Sequence, residues 1–124
     1  MAIKFNPSPD STIGVEVELQ IVDPVTRHLT PKGGELIAAT NGNPHVKSEL
    51  LQSTVELNTS VCRNVKEVQV DLERVKNDVQ TVCEGIGCSL ISAGTHPFST
   101  WPEQLTTDEA RYQKLIDRVQ WPAQ

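Results

Sequence analysis

Aromatic residues are scarce in this chain. Its 124 positions hold two Phe, two Trp and one Tyr, so an interior must be built mainly from Val, Leu and Ile. Cysteine is also scarce and odd in number, at Cys62, Cys83 and Cys88. Three cannot all pair, which excludes a full disulfide framework, and the step from Cys83 to Cys88 is not the C-x-x-C spacing of zinc or redox motifs. They read as small buried thiols. Basic residues are outnumbered, 11 Lys and Arg against 16 Asp and Glu, for a net charge of −5; a nucleic-acid partner, which needs a basic footprint, is not expected. No apolar run approaches the ~18 residues of a membrane helix. The first residues, Met1 to Pro7, lack an apolar secretory segment, so no membrane partner and a cytoplasmic location are expected. A G-x-x-x-x-G-K-[ST] phosphate loop is missing, and His28, His45 and His96 lack zinc-ligand spacing.

What is present suits one soluble domain. Hydrophobic residues make up 37% and charged residues 22%, an ordinary balance for a chain long enough to bury a core. Residues 1–11, with Pro7 and Pro9, read as a flexible leader, and 12–124 as a single domain. A short helix is expected at Glu35–Ala39, stopped by Asn41-Gly42-Asn43-Pro44. From Asn64 to Gly85 a stripe of Val65, Val68, Leu72, Val75, Val79, Val82 and Ile86 predicts a long amphipathic helix. Asn64 and Glu67 are placed to cap its start as a capping box, and Gly85 and Gly87 to end it. Ser89–His96 reads as a strand ended by Pro97. Thr106 and Glu109 are placed to cap a last helix, and Trp121-Pro122 to terminate it. The order predicts an α+β fold, an antiparallel sheet with helices on one face.

The most informative segment is Ile13-Gly14-Val15-Glu16-Val17-Glu18-Leu19-Gln20-Ile21-Val22. Its alternation predicts a half-buried strand over 12–22, with Glu16, Glu18 and Gln20 on one face. Carboxylates two residues apart on a strand lie roughly 7 Å apart. Such a pair is either a solvated face or a site for a hard cation, since Mg²⁺ takes one or two carboxylates and shares its shell with water and phosphate. A second alternating segment, Ser53-Thr54-Val55-Glu56-Leu57-Asn58-Thr59, puts Glu56 and Asn58 on one face. Glu49 stands seven residues before Glu56; a flat strand would turn it to the opposite face, whereas a bulge or helical turn would bring the two together.

Two further pieces complete the pattern: Gly94-Thr95-His96-Pro97-Phe98 at the end of an apolar run, and Arg111-Tyr112 opening a helical pattern. The order of the pieces T-I-G-V-E-V-E-L-Q-I-V-D-P, E-L-L-Q-S-T-V-E-L-N-T, A-G-T-H-P-F and R-Y resembles the amino-terminal part of the glutamate–cysteine ligase family, in its bacterial carboxylate-amine ligase branch. The resemblance runs from about Thr12 to Val119. One departure is Val17, where the family commonly has a third acid; alternation turns that position away from the acidic face.

The resemblance implies a glutamine-synthetase-like fold whose curved antiparallel sheet holds metals and substrates on its concave side. It implies ATP-dependent amide formation between a glutamate-type carboxylate and an amine, through an acyl phosphate. Glu16, Glu18 and Glu56, with Glu49, would ligate Mg²⁺ or Mn²⁺. Asn58, His96 and Arg111 would contact substrate or nucleotide. The partners would be a small amino-acid substrate and ATP. Family members are much longer, so the chain resembles the amino-terminal third of a ligase. A homodimer is expected, because a sheet cut short leaves edges to pair. The rival expectation is a non-catalytic, self-associating remnant of the family.

Overall fold

The alternation of the first acidic segment is realised in β1 (Glu16–Val22). The computed structural model describes residue 7 and residues 9–119; most of the leader and the Trp121-Pro122 terminator lie outside the described residues. After β1 come α1 (Gly33–Ala39), β2 (Val46–Ser48), β3 (Thr54–Asn58), α2 (Val65–Gly85), β4 (Ser89–Ile91) and α3 (Ala110–Val119), with a 3-10 turn at Trp101–Glu103 before α3. The result is a small mixed α and β domain. Its four strands are antiparallel and ordered β2-β3-β1-β4.

The inward residues of the two central strands build the core. Leu19 and Ile21 from β1 and Val55 and Leu57 from β3 meet Leu36 of α1 and Val75, Val79 and Cys83 of α2. Val75 and Val79 are wholly buried, each stabilising by roughly 1.5–3 kcal/mol relative to exposure. Helices α1 and α2 therefore cover the apolar face, and the residues alternating with the core occupy the other. Gly33 lets α1 close on the loop before β3: its N–H donates to Gln52 O at 2.7 Å, and a Cβ there would sit 2.7 Å from that same oxygen.

Several elements differ from the sequence expectation. Pairing beyond β1 slips, with Glu16 opposite Asn58 but Ile13 opposite Cys62. One extra residue on the 58–62 side makes a bulge, so the regular strand starts at Glu16 instead of Thr12. Helix α2 begins as expected, with Asn64 Oδ1 accepting from Glu67 N at 3.0 Å. The Glu67 carboxylate, however, accepts from Arg63 N at 2.7 Å and not from the N-cap N–H. Val65 is 74% exposed, because a 21-residue helix, about 31 Å long, overhangs strands of at most seven residues, about 23 Å.

The chain leaves the sheet after Ile91 and not at His96. His96 is buried, and its anchoring to the Arg27 carbonyl draws the segment off the ladder. Thr106 does not cap α3; it bridges to Leu51, and the helix opens at Ala110. Finally, Cys83 and Cys88 are not thiols but form a disulfide, with Cα atoms 5.1 Å apart. The helix stop at Gly87, φ 69°, turns the chain back so that Cys88 N reaches Cys83 O at 2.9 Å. Cys62 alone is a buried thiol.

Candidate functional site

The β1–β3 ladder places Glu16 opposite Asn58 and Glu18 opposite Glu56. Facing residues of an antiparallel pair point to the same side, so these four side chains share the face away from the core. Gln20 and Thr54 continue that face by one further pair. Glu16 and Glu18 are exposed, while Glu56 and Glu49 are half-buried. Asn58 Nδ2 donates to Glu56 Oε1 at 2.6 Å, which fixes the rotamer of that carboxylate.

Glu49 lies one residue beyond the end of β2, and the turn at 49–53 brings it to the same acidic face. Its carboxyl is raised above the ordinary carboxylate value, first by loss of solvent, then by hydrogen bonding with Glu56 and by the negative charges of Glu18 and Glu56. The N–H of Leu50, donating to Glu49 Oε2 at 3.0 Å, works in the opposite direction. Among the described residues, none of Glu16, Glu18, Glu49 and Glu56 forms an ion pair. Three acids thus sense one another, while the cations beside them, Lys47 opposite Glu56 across the β2–β3 ladder and Arg111 near Glu49, form no ion pair with them among the described residues.

Beside them is a cavity of ≈ 400 Å³ lined by Glu18, Gln20, Glu49, Thr54, Ser92 and Gly94. Gln20 Oε1 is closed to solvent and has no hydrogen-bond partner. A buried acceptor left unmade costs about 1–3 kcal/mol, so this oxygen calls for a donor or a cation. The donor set therefore fits a hard divalent ion in kind: carboxylate and carboxamide oxygens next to a cavity. Among the described residues no three His, Cys, Asp or Glu side chains are gathered closely enough to enclose an ion. The acids form an open face, which suits a cation that completes its shell with water and phosphate.

Of the other expected site residues, His96 sits apart from this face and Arg111 borders it beside Glu49. Both His96 ring nitrogens are engaged within the chain: Nε2 bonds to Arg27 O at 2.9 Å and Nδ1 to Ser99 N at 3.0 Å. The ring also stacks edge-on against Phe98, centroids 4.5 Å apart. Arg111 lies on α3, paired with Glu109 at 2.9 Å, and its Nη2 donates to Ser48 O at 2.9 Å. It lines a second cavity of ≈ 630 Å³, adjoining the first at Glu49 and Thr54, that also takes in Lys47 and Glu109. Sequence reasoning passed over Ser48 and Thr107, which hold the Glu49 segment through long-range bonds. Nothing in a lone hydroxyl residue signals a partner some sixty positions away. Among the described residues no helix is long and apolar enough to cross a membrane.

The family model described as Glutamate-cysteine ligase family 2 matches residues 12–124. The chain is 44% identical over 127 residues to a "Putative glutamate--cysteine ligase 2" of Gloeobacter violaceus, covering 99% of this chain and 34% of that protein. It is likewise 44% identical over 119 residues to a "Putative glutamate--cysteine ligase 2-1" of Mycolicibacterium smegmatis, covering 96% of this chain and 32% of the other. The chain spans about a third of the length of the curated relatives it matches.

Proposed function

The chain belongs to glutamate-cysteine ligase family 2, and from that premise we propose that it forms the amino-terminal part of an ATP-dependent carboxylate-amine ligase with a glutamine-synthetase-like sheet. The observation that carries the reading is the facing of Glu18 and Glu56 across the β1–β3 ladder, joined by Glu16 and Asn58 on one face. Like charges held opposite one another destabilise a sheet, and a bound cation gives the arrangement a use.

In this reading Glu16, Glu18, Glu49 and Glu56 hold Mg²⁺ or Mn²⁺. When bound, the metal supplies positive charge for the phosphate oxygens of ATP. A glutamate-type carboxylate takes the terminal phosphoryl group of ATP, releasing ADP. An amine then attacks the acyl carbon, phosphate departs, and an amide bond remains. The chain's own part is placement. Asn58 holds the Glu56 carboxylate in position. Arg111, half-exposed, offers a guanidinium to a substrate carboxylate or phosphate. His96, through its bond to Arg27 O, shapes the segment that follows β4.

Calorimetric titration of the chain with Mg²⁺ and Mn²⁺ tests the reading. The double variant Glu16→Gln, Glu18→Gln should lose divalent-cation binding while its circular dichroism stays unchanged. Equal affinity in variant and parent would overturn the metal site.

A further inference from the structure

The four acids are not held in the same way. Glu16 and Glu18 lie within β1 and Glu56 within β3, where the ladder itself sets their direction. Glu49 lies outside β2 (Val46–Ser48), so no strand pairing fixes it. Its carboxylate accepts from Leu50 N at 3.0 Å, and the backbone that carries it is held by the segment leading into α3.

Three consecutive backbone carbonyls around Glu49 each accept a hydrogen bond from that segment. Ser48 O takes Tyr112 Oη at 2.8 Å and Arg111 Nη2 at 2.9 Å. Glu49 O takes the Thr107 hydroxyl. Leu50 O takes Thr107 N at 2.8 Å. One residue further on, Gln52 N donates to Leu105 O at 2.8 Å. The Tyr112 side of this clamp is buried, and the Arg111 guanidinium stacks over the Tyr112 ring, 4.3 Å from its centroid. The clamp is thus shielded from water on its Tyr112 side and open to solvent on its Arg111 side. It connects residues roughly sixty positions apart and holds the stretch of backbone from which the Glu49 side chain leaves.

We propose that Thr107 and Tyr112 are positioning residues that act through the Ser48–Leu50 backbone to aim the Glu49 carboxylate at the cation shared with Glu18 and Glu56. The inference rests on the ligase reading above. Neither residue touches the ion: Thr107 supplies one hydroxyl and one N–H, Tyr112 one hydroxyl, all to main-chain oxygens. Partners of this kind, one step removed from the ligands, typically alter metal affinity by about 10–100-fold when removed.

The test is Mn²⁺ binding to the chain, followed by loss of the electron paramagnetic resonance signal of the hydrated ion. Three variants separate the clamp from general stability: Thr107→Val, which keeps shape and removes the hydroxyl; Thr107→Ser, which keeps the hydroxyl; and Tyr112→Phe, which removes one oxygen. Thr107→Val and Tyr112→Phe should bind Mn²⁺ about tenfold more weakly, with amide spectra matching the parent outside residues 48–52 and 104–112. Thr107→Ser should restore the parent affinity. Unchanged affinity in Thr107→Val and Tyr112→Phe, or equal weakening in both Thr107 variants, overturns the clamp while leaving the metal reading intact. A parent chain that takes up no Mn²⁺ overturns the metal reading itself, and the clamp with it.

Discussion

Glu18 and Glu56 stand directly opposite each other across the central strand pair of the sheet. With no bound ion, facing like charges on a half-exposed surface oppose folding. Glu18→Gln should therefore stabilise the metal-stripped chain by a small amount, roughly 0.2–1 kcal/mol. Urea unfolding in the presence of a chelator measures this. A destabilised variant would mean that Glu18 has a stabilising partner in the chain.

Glu49 carries a pH signature of the opposite sign from most carboxylates. Its carboxyl is raised above 4.5, with burial as the largest cause. A folded-state value above the unfolded one means that the folded state binds the proton more tightly. The penalty is present in full above the folded value and is relieved as pH falls towards 4.5. Glu49→Gln should stabilise the metal-stripped chain at neutral pH, and the gain should shrink as the solution is acidified. Thermal unfolding midpoints between neutral and acid pH follow the trend; a constant difference would contradict it.

Asp71 has the usual sign. It accepts Ser60 N at 2.6 Å and Arg74 Nη2 at 2.7 Å, and these bonds hold its carboxyl down from 3.8 to about 2, the Ser60 bond contributing most. Its contribution is complete above 3.8 and is lost as pH falls through about 2. Asp71→Asn should lower the unfolding midpoint at pH 7, and parent and variant should converge in strong acid. A difference that persists there would assign the loss to packing and not to charge.

The Cys83–Cys88 disulfide closes a loop of only five sequence steps. Chain-entropy reasoning gives a short closure of this kind about 2 kcal/mol. Reduction should lower the unfolding free energy from urea titration by that order, and Cys83→Ala with Cys88→Ala should lose more, because Cys83 is wholly buried against α2 and the sheet.

The outer strands β2 and β4 end the sheet on either side, and Leu115 and Val119 on α3 are 44% and 48% exposed. Unpaired edges and uncovered apolar side chains favour pairing with a second copy. Light scattering should find a mass above one chain that grows with concentration. A mass of one chain at every concentration would show that the domain closes its own core and is not a homodimer.

Much of the fold was legible because its signals are local. Alternation of period two placed Glu16, Glu18 and Gln20 on one side of β1 and Leu19 and Ile21 on the other. A three-four repeat with Asn64 at its head located α2 to within a residue. These patterns depend only on backbone geometry and on which side chains avoid water. The strand ends were misread for the same reason. Nothing local tells that His96 will be drawn to Arg27 O, or that Thr106 will bridge to Leu51 and not cap α3.

The sequence by itself determined that acids occur on the polar faces of two strands, and that a long helix covers their apolar faces. Only the tertiary structure decided that those strands are neighbours in a register that sets Glu18 against Glu56. It also decided that Glu49 joins them, since its carboxyl senses Glu18 and Glu56 while its backbone is held by Thr107 and Tyr112 from roughly sixty positions away. And it decided that Cys83 and Cys88 bond, because a helix stop at Gly87 folds one back upon the other. Face and period are properties of a segment, while register, turn and cross-link belong to pairs of segments, and pairing is settled by the burial that the whole chain achieves together.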